Sequence, residues 1–228
     1  MKKYLPLVFM LLICSTSFAQ TVGGSLMLGY PQGDFRTNVD RMGFGLQVQG
    51  TFWSPSKERP FTIGFEGGYL IYGMTNERKE WSDFPGIYLK LNRTNSVANL
   101  HLMLQVSPFY GDVRPYVEGL FGGAYIWTTS EVKNENGDHP IASSTNYDDF
   151  TWNYGGGAGI LLKLTDNLEK VSALYLDIKA RYLFGTEANY LTEESVFVNS
   201  RGDTIFQARR SKTDFFTFHV GVIAYLDI

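Results

Sequence analysis

Beyond its first twenty residues the chain alternates between apolar and polar positions. Read at a period of two, it divides into eight segments, roughly 21–30, 43–53, 61–73, 96–107, 115–128, 151–164, 173–186 and 214–228. In the seventh, Leu174, Leu176, Ile178, Ala180, Tyr182 and Phe184 share one face, and Tyr175, Asp177, Lys179, Arg181 and Leu183 the other. The last sets Phe216, Phe218, Val220, Val222, Ala224, Leu226 and Ile228 against Thr217, His219, Gly221, Ile223, Tyr225 and Asp227. The segments at 43–53, 61–73 and 96–107 repeat the pattern. Those at 21–30, 115–128 and 151–164 are richer in Gly but keep an uncharged face through Leu26 and Leu28, Val117, Phe121 and Tyr125, and Ile160, Leu162 and Leu164. No charged residue falls on any of these apolar faces. Each segment reaches the ~9–11 residues that a tilted strand needs to cross a bilayer.

The links between segments alternate in length. Those at 54–60, 108–114 and 165–172 are short, whereas 31–42, 74–95, 129–150 and 187–213 are longer. Short turns on one side and long loops on the other are the mark of an up-and-down membrane barrel. The pattern therefore predicts an all-β chain, an eight-stranded antiparallel up-and-down transmembrane β-barrel, as one domain over 20–228.

Two features choose the face that points outward. The polar faces are crowded with Gly155, Gly157 and Gly159, as a narrow packed lumen requires, and their charges are of both signs. Glu66, Glu118 and Asp177 stand against Lys163, Lys179 and Arg181. Buried charges must pair to offset their desolvation, so these six are expected to form a salt-bridged plug. Arg181 and Glu118 should lie near its middle, where a switchable gate would be sought. The apolar faces gather rings at one rim: Tyr30, Phe44, Tyr69, Tyr125, Trp127, Trp152, Tyr154, Tyr182, Phe184, Phe216 and Phe218. Such a girdle belongs where lipid headgroups meet protein. Phe52, Phe61 and Leu226 make a thinner ring at the opposite rim. The opposite register, a soluble exported barrel binding an apolar ligand, would turn Asp177, Lys179 and Arg181 toward water.

The first nineteen residues read as a cleaved secretory signal. Lys2 and Lys3 precede an apolar run of 11 residues, Tyr4 to Cys14, too short to span a bilayer as a helix. Ser17-Phe18-Ala19 then places small residues at −3 and −1 of a cut before Gln20. Bulky Ile13 before Cys14 argues against a lipoprotein signal. Losing a leader with two lysines and no acid takes the net charge from −3 to −5. That balance excludes a phosphate-backbone partner, and the single Cys excludes a disulfide scaffold.

This order of features resembles the small OmpA/OmpX-type outer-membrane β-barrels, and more narrowly the barrel-only outer-membrane proteins common in Bacteroidota. The resemblance rests on Ser17-Phe18-Ala19-Gln20, on the first hairpin Gly29-Tyr30-Pro31-Gln32-Gly33-Asp34-Phe35 leading to Gly43-Phe44-Gly45, and on the alternating closing strand Phe216–Ile228. The family's closing strand usually ends in an aromatic, and here Ile228 takes that place. The resemblance implies an outer-membrane location, insertion by the barrel-assembly machinery, and no peptidoglycan-binding domain, so no cell-wall tether.

Candidate chemistry is sparse. A lipid A-modifying outer-membrane enzyme is the rival function and would gather a His, a Ser and a carboxylate at the outer rim. His139, with Asp138, Ser143 and Ser144 nearby, matches no such motif, and His101 and His219 read as polar lumen filling. The expectation is a non-enzyme with no cofactor. Glu131, Glu135, Asp138, Asp148 and Asp149 read as a solvated acidic loop, not a metal site, and Arg201-Gly202-Asp203 as a chance triplet. The long loops carry the binding surface. Arg78, Lys79, Lys90, Arg93, Arg201, Arg209 and Arg210 suit lipopolysaccharide phosphates, and Trp81 and Phe84 suit anchoring of their loop to the rim. The expected protein is a monomer with a structural or surface-interaction role. Its expected partners are outer-membrane lipid, lipopolysaccharide and an unidentified extracellular or outer-membrane protein.

Overall fold

The eight alternating segments pair edge to edge until the last meets the first. The computed structural model describes residues 20–80, 88–108, 110–134, 140–192, 195–198 and 204–226. In chain order the elements are β1 (Thr21–Pro31), α1 (Gly33–Asn38), β2 (Gly43–Thr51), β3 (Phe61–Glu80), β4 (Tyr88–Val106), β5 (Val113–Asn134) and β6 (Pro140–Leu168). Then come β7 (Val171–Gly185), β8 (Glu187–Tyr190), β9 (Val196–Val198), β10 (Thr204–Phe206), β11 (Arg209–Lys212) and β12 (Phe215–Leu226). Strands β1 to β7 and β12 form a closed antiparallel barrel in which each pairs with its chain neighbour and β12 returns to β1, from Thr21 opposite Tyr225 to Pro31 opposite Phe215. Within the closed ring of ladders no sheet edge is left unpaired, the condition for a β-structure to stand in lipid.

The period-two pattern becomes an inside and an outside. Leu26 and Leu100 point outward, 68% and 65% exposed, while Glu66 and Arg181 point inward at 1% and 2%. The register with an apolar interior is overturned because Asp177, Lys179 and Arg181 are buried in the lumen.

The links differ from the sequence reading. Much of 74–95 and 129–150 is strand, not loop. The β3–β4 ladder continues from Gly73 opposite Asn95 to Glu80 opposite Tyr88. The β4–β5 ladder continues to Leu89 opposite Asn134, and β5–β6 to Lys133 opposite Pro140. There the buried positions Arg93 and Asn95 are polar, so no apolar alternation announces the strand although backbone pairing persists. The 165–172 link shrinks to the turn Glu169-Lys170, with Lys170 in the left-handed region at φ 66°. The 31–42 link contains α1, and 187–213 contains two small two-stranded sheets, β8 with β11 and β9 with β10. The signal segment 1–19, Trp81, Phe84, Glu135, Asp138, His139, Arg201-Gly202-Asp203, Asp227 and Ile228 lie outside the described residues.

Candidate functional site

The lumen is stacked in three layers. At the loop end, Met27, Leu70, Tyr72, Val97, Ala124, Ile126 and Phe215 project inward and meet Phe35 of α1. Phe35 is fully buried, its ring centroid 4.8 Å from Tyr190, 5.1 Å from Phe215 and 5.5 Å from Tyr72. Six residues cannot hold a helix by themselves, and the N-cap Gln32 makes no side-chain cap bond. Tertiary contacts fix α1 instead: Gln32 N donates to Asp214 O at 2.9 Å, and Asn38 Nδ2 to Tyr190 Oη at 2.9 Å. Burial of a Phe side chain adds about 1.5–3 kcal/mol, so α1 is a stopper seated by one ring.

The middle layer is charged. The Arg181 guanidinium lies between two carboxylates, with Nε 2.5 Å from Glu118 Oε1, Nη2 3.0 Å from Glu118 Oε2, and Nη1 on Glu66 Oε2. Glu66 also receives Gln47 Nε2 at 2.9 Å and contacts His101 Nδ1 at 2.8 Å. Lys179 pairs with Asp177 at 3.0 Å and donates to Gln49 Oε1. Ser25 Oγ donates to Gln47 Oε1 at 2.7 Å and stands 3.4 Å from His219 Nδ1. Every carboxylate oxygen named here faces a donor, which is what makes a buried ionic layer tolerable. Two glycines of β6 make the space. A Cβ at Gly157 would stand 2.6 Å from Arg181 Cγ, and one at Gly159 2.5 Å from the Tyr116 ring.

The turn-end layer is aromatic and apolar, built from Tyr116, Leu161, Tyr175, Ile223 and Tyr225. Tyr116 Oη joins it to the charged layer by donating to Asp177 Oδ1 at 2.5 Å. The Arg114 guanidinium covers its outer side, 4.7 Å from the Tyr175 ring centroid and 5.4 Å from that of Tyr225.

Of the six charges expected to meet, five lie in the middle layer. Lys163 does not. It stands where the β6–β7 register shifts, its Nζ 2.6 Å from Asp166 and 3.6 Å from Asp112 at the turn end. Parity put it on the lumen side of β6, but parity carries no information about height along the axis. Sequence reasoning also missed both apolar layers. Their signal was present: Met27, Leu70 and Phe215 of the loop-end layer, and Tyr175, Ile223 and Tyr225 of the turn-end layer, all fall on the face read as polar.

The eleven rim aromatics all lie on outward positions of their strands. Trp152 and Tyr154 are both 54% exposed, Phe44 57% and Phe184 45%. Several touch one another: Tyr69 and Tyr125 each flank Trp127 at 5.8 and 5.6 Å, and Tyr154 and Tyr182 flank Phe184 at 5.5 and 4.7 Å. Phe121 and Phe150, absent from the sequence-derived girdle, pack on Trp152 at 5.8 and 5.2 Å. At the opposite rim Phe52 and Phe61 are joined by Trp53 and Phe65. Among the described residues no group of three His, Cys, Asp or Glu side chains is placed to hold a metal ion.

No family model and no curated protein matches this chain. Similarity is found to solved structures. Neisserial surface protein A matches at 11% identity and a TM-score of 0.40, over 90% of this chain and 96% of its own. Ail, the attachment invasion locus protein of Yersinia pestis, solved with the heparin analogue sucrose octasulfate, matches at 14% and 0.38, over 90% and 95%. The N-terminal β-barrel domain of Pseudomonas aeruginosa OprF matches at 12% and 0.35, over 90% and 97%.

Proposed function

We propose that this chain is an integral barrel of a Gram-negative outer membrane, closed to solutes, whose work is done by the structure it holds above the bilayer. One observation carries the membrane reading: the polarity of the barrel is inverted. Leu26, Leu46, Leu100, Val117 and Phe121 are 58–68% exposed on the outside, and Glu66, Glu118, Asp177, Lys179 and Arg181 are at most 6% exposed inside. A continuous apolar surface of this kind suits lipid and would aggregate in water. Between Phe216 and Leu226, β12 climbs about 26 Å at ~3.4 Å per residue and a tilt of ~40°, matching the ~25 Å apolar band of such barrels. Rings at both ends of that band support the same placement. The short turns then face the periplasm and the extended hairpins the medium, with insertion by the barrel-assembly machinery.

A lumen sealed by three packed layers favours a structural or interactive role over transport or catalysis. Strands β3 to β6 continue past the girdle as a four-stranded wall. From Gly73 to Glu80 alone, about 23 Å of strand projects at ~3.3 Å per residue. The β2–β3 ladder ends at Phe44 and Ile71, and the β6–β7 ladder at Asn153 and Gly185. Beyond those points β3 and β6 are the outer strands of the wall, and such edges accept an extended segment of a protein partner. Exposed Arg209, Arg210 and Lys212 on β11 lead into Phe216 of the girdle, a position suited to lipopolysaccharide phosphates.

Gel mobility of the chain from membrane fractions, unheated and boiled, tests the reading. The expected result is a heat-dependent shift with the protein in the outer membrane. A protein found free in the periplasm or medium, with no shift, would overturn it.

A further inference from the structure

At the loop end of the barrel, α1 and the inner faces of β3 and β4 enclose a cleft of about 380 Å³. That volume falls in the ~300–1,000 Å³ range of small-molecule sites. Its walls include Asn38, Asp40 and Arg41 from the end of α1 and the turn after it, Tyr72 from β3, Asn95 from β4, and Thr192.

Tyr72 is the telling residue. It is 1% exposed, and its hydroxyl has no hydrogen-bond partner among the described residues. Nearby Tyr190 shows the ordinary arrangement, its Oη meeting Asn38 Nδ2 at 2.9 Å and Ser211 Oγ at 2.7 Å. Tyr72 also stands at a β-bulge. The β3–β4 register passes from Ile71–Ser96 to Gly73–Asn95 and leaves Tyr72 with no residue opposite. Bulges re-aim a side chain and are common beside binding sites. A Cβ at the next residue, Gly73, would stand 2.9 Å from Asn95 Nδ2, which is in the wall of the cleft. A phenol buried without a partner costs stability, and Tyr72 is among the residues that line the cleft.

We propose that this cleft binds one sugar unit, an uncharged ligand whose hydroxyls both donate and accept. The walls supply both halves of that exchange. Tyr72 Oη, the Arg41 guanidinium and Asn95 Nδ2 donate, the Asp40 carboxylate and Asn38 Oδ1 accept, and the Thr192 hydroxyl keeps one bond beyond its contact with Ser195; Asn38 Nδ2 is held by Tyr190 and the Asp34 carbonyl and Asn95 Oδ1 by Thr128. An anion finds Asp40 beside the single guanidinium, a metal ion finds a single carboxylate, and an apolar ligand would leave the polar walls unsatisfied. The sugar could be free in the medium or belong to the oligosaccharide of lipopolysaccharide, and the chemistry of recognition is the same.

The test uses the full-length mature barrel in dodecylphosphocholine, because a glucoside or maltoside detergent would itself offer the ligand. Glucose, galactose, mannose and N-acetylglucosamine are titrated calorimetrically, and in a second arm the oligosaccharide released from lipopolysaccharide by mild acid. Saturable binding of at least one probe is expected. It should weaken about tenfold or more in Tyr72→Phe, the loss of one buried hydrogen bond to ligand, and also in Asp40→Ala, which changes an exposed turn. Tyr72→Phe should unfold at the same or a higher temperature, since it removes an unsatisfied hydroxyl. Binding of a hexose identifies free sugar as the source; binding of the released oligosaccharide alone identifies lipopolysaccharide. Absence of saturable binding in both arms, or binding that survives both substitutions, would overturn the proposal.

Discussion

Arg181 grips Glu118 with two nitrogens, Nε on Oε1 at 2.5 Å and Nη2 on Oε2 at 3.0 Å, and gives its remaining terminal nitrogen to Glu66. The two carboxylates come from β3 and β5, and the guanidinium reaches them from β7. One side chain thus ties opposite walls of the barrel together. Removing it leaves two buried carboxylates to repel each other. Arg181→Met should therefore cost about 3–5 kcal/mol, the usual penalty for breaking a buried ionic cluster. The triple change Arg181→Met, Glu66→Gln, Glu118→Gln should recover most of that loss, because no unpaired charge remains. Urea midpoints in micelles measure both. A triple variant no more stable than the single one would show that the cluster matters for shape, not charge.

The same layer shows what the sequence could and could not reveal. Asp177, Lys179 and Arg181 interleave with Leu176, Ile178 and Ala180, and period two is enough to put one set inside and the other out. The outward placement of the rings was legible for the same reason, since Phe216 and Phe218 share parity with Val220 and Val222. Height along the axis was not legible, and Lys163 was misplaced for that reason. Nor was the stopper: the six residues of α1 are too few to show helical periodicity, and its seating depends on Tyr72, Tyr190 and Phe215, which are remote in sequence. The hairpin extensions were hidden because positions they bury, Arg93 and Asn95, are polar and make no apolar pattern.

Phe35 should be separable from the barrel beneath it. Phe35→Ala removes the ring that seats α1, a change that typically costs about 3–5 kcal/mol at a buried site. The cost should fall on the stopper, leaving the ladders intact. Trypsin would then cut at Arg36 or Arg41 in the variant at concentrations that spare the parent, while the heat-dependent gel shift persists. Planar-bilayer recordings of both proteins should show no steady conductance, because the Arg181 layer and the Tyr116, Tyr175 and Tyr225 layer remain in place. A steady open channel in Phe35→Ala would mean that α1 alone closes the lumen.

Leu100 offers a direct test of the outer surface. It is 65% exposed on β4, with Gly67 opposite it on β3 and Gly123 opposite it on β5. In a bilayer Leu100→Arg should cost about 2–4 kcal/mol, the penalty for a cation at the midplane on the lipid face of a barrel. Ser143→Arg, on the exposed stretch of β6 beyond the girdle, should cost close to nothing. Folding free energies from urea titrations in lipid vesicles give the contrast. Equal effects at the two positions would remove the case that the β4 face meets hydrocarbon.

Asp149 supplies a pH-dependent contact outside the membrane band. Its carboxylate Oδ2 accepts from the Asn189 backbone N–H at 2.8 Å and from Asn189 Nδ2 at 2.9 Å, tying β6 to the small sheet above β7. The Asn189 backbone hydrogen bond, more than any other contact, holds the Asp149 carboxyl below the ordinary value of 3.8. A depressed carboxyl stabilises the folded form fully above its unfolded pKa and loses that contribution as pH falls through its folded pKa. The tie is therefore complete at neutral pH, begins to weaken near pH 3.8, and is gone once the carboxyl is protonated below that. The Asn189 amide resonance, followed by NMR in micelles, should titrate with a midpoint below 3.8. In Asp149→Asn the same resonance should be flat through that range, because the replacement side chain does not change charge. A wild-type midpoint at or above 3.8 would mean that the Asn189 bonds do not favour the charged carboxylate, and that β8 is held by its pairing with β11 and by the contacts of Tyr190 with α1.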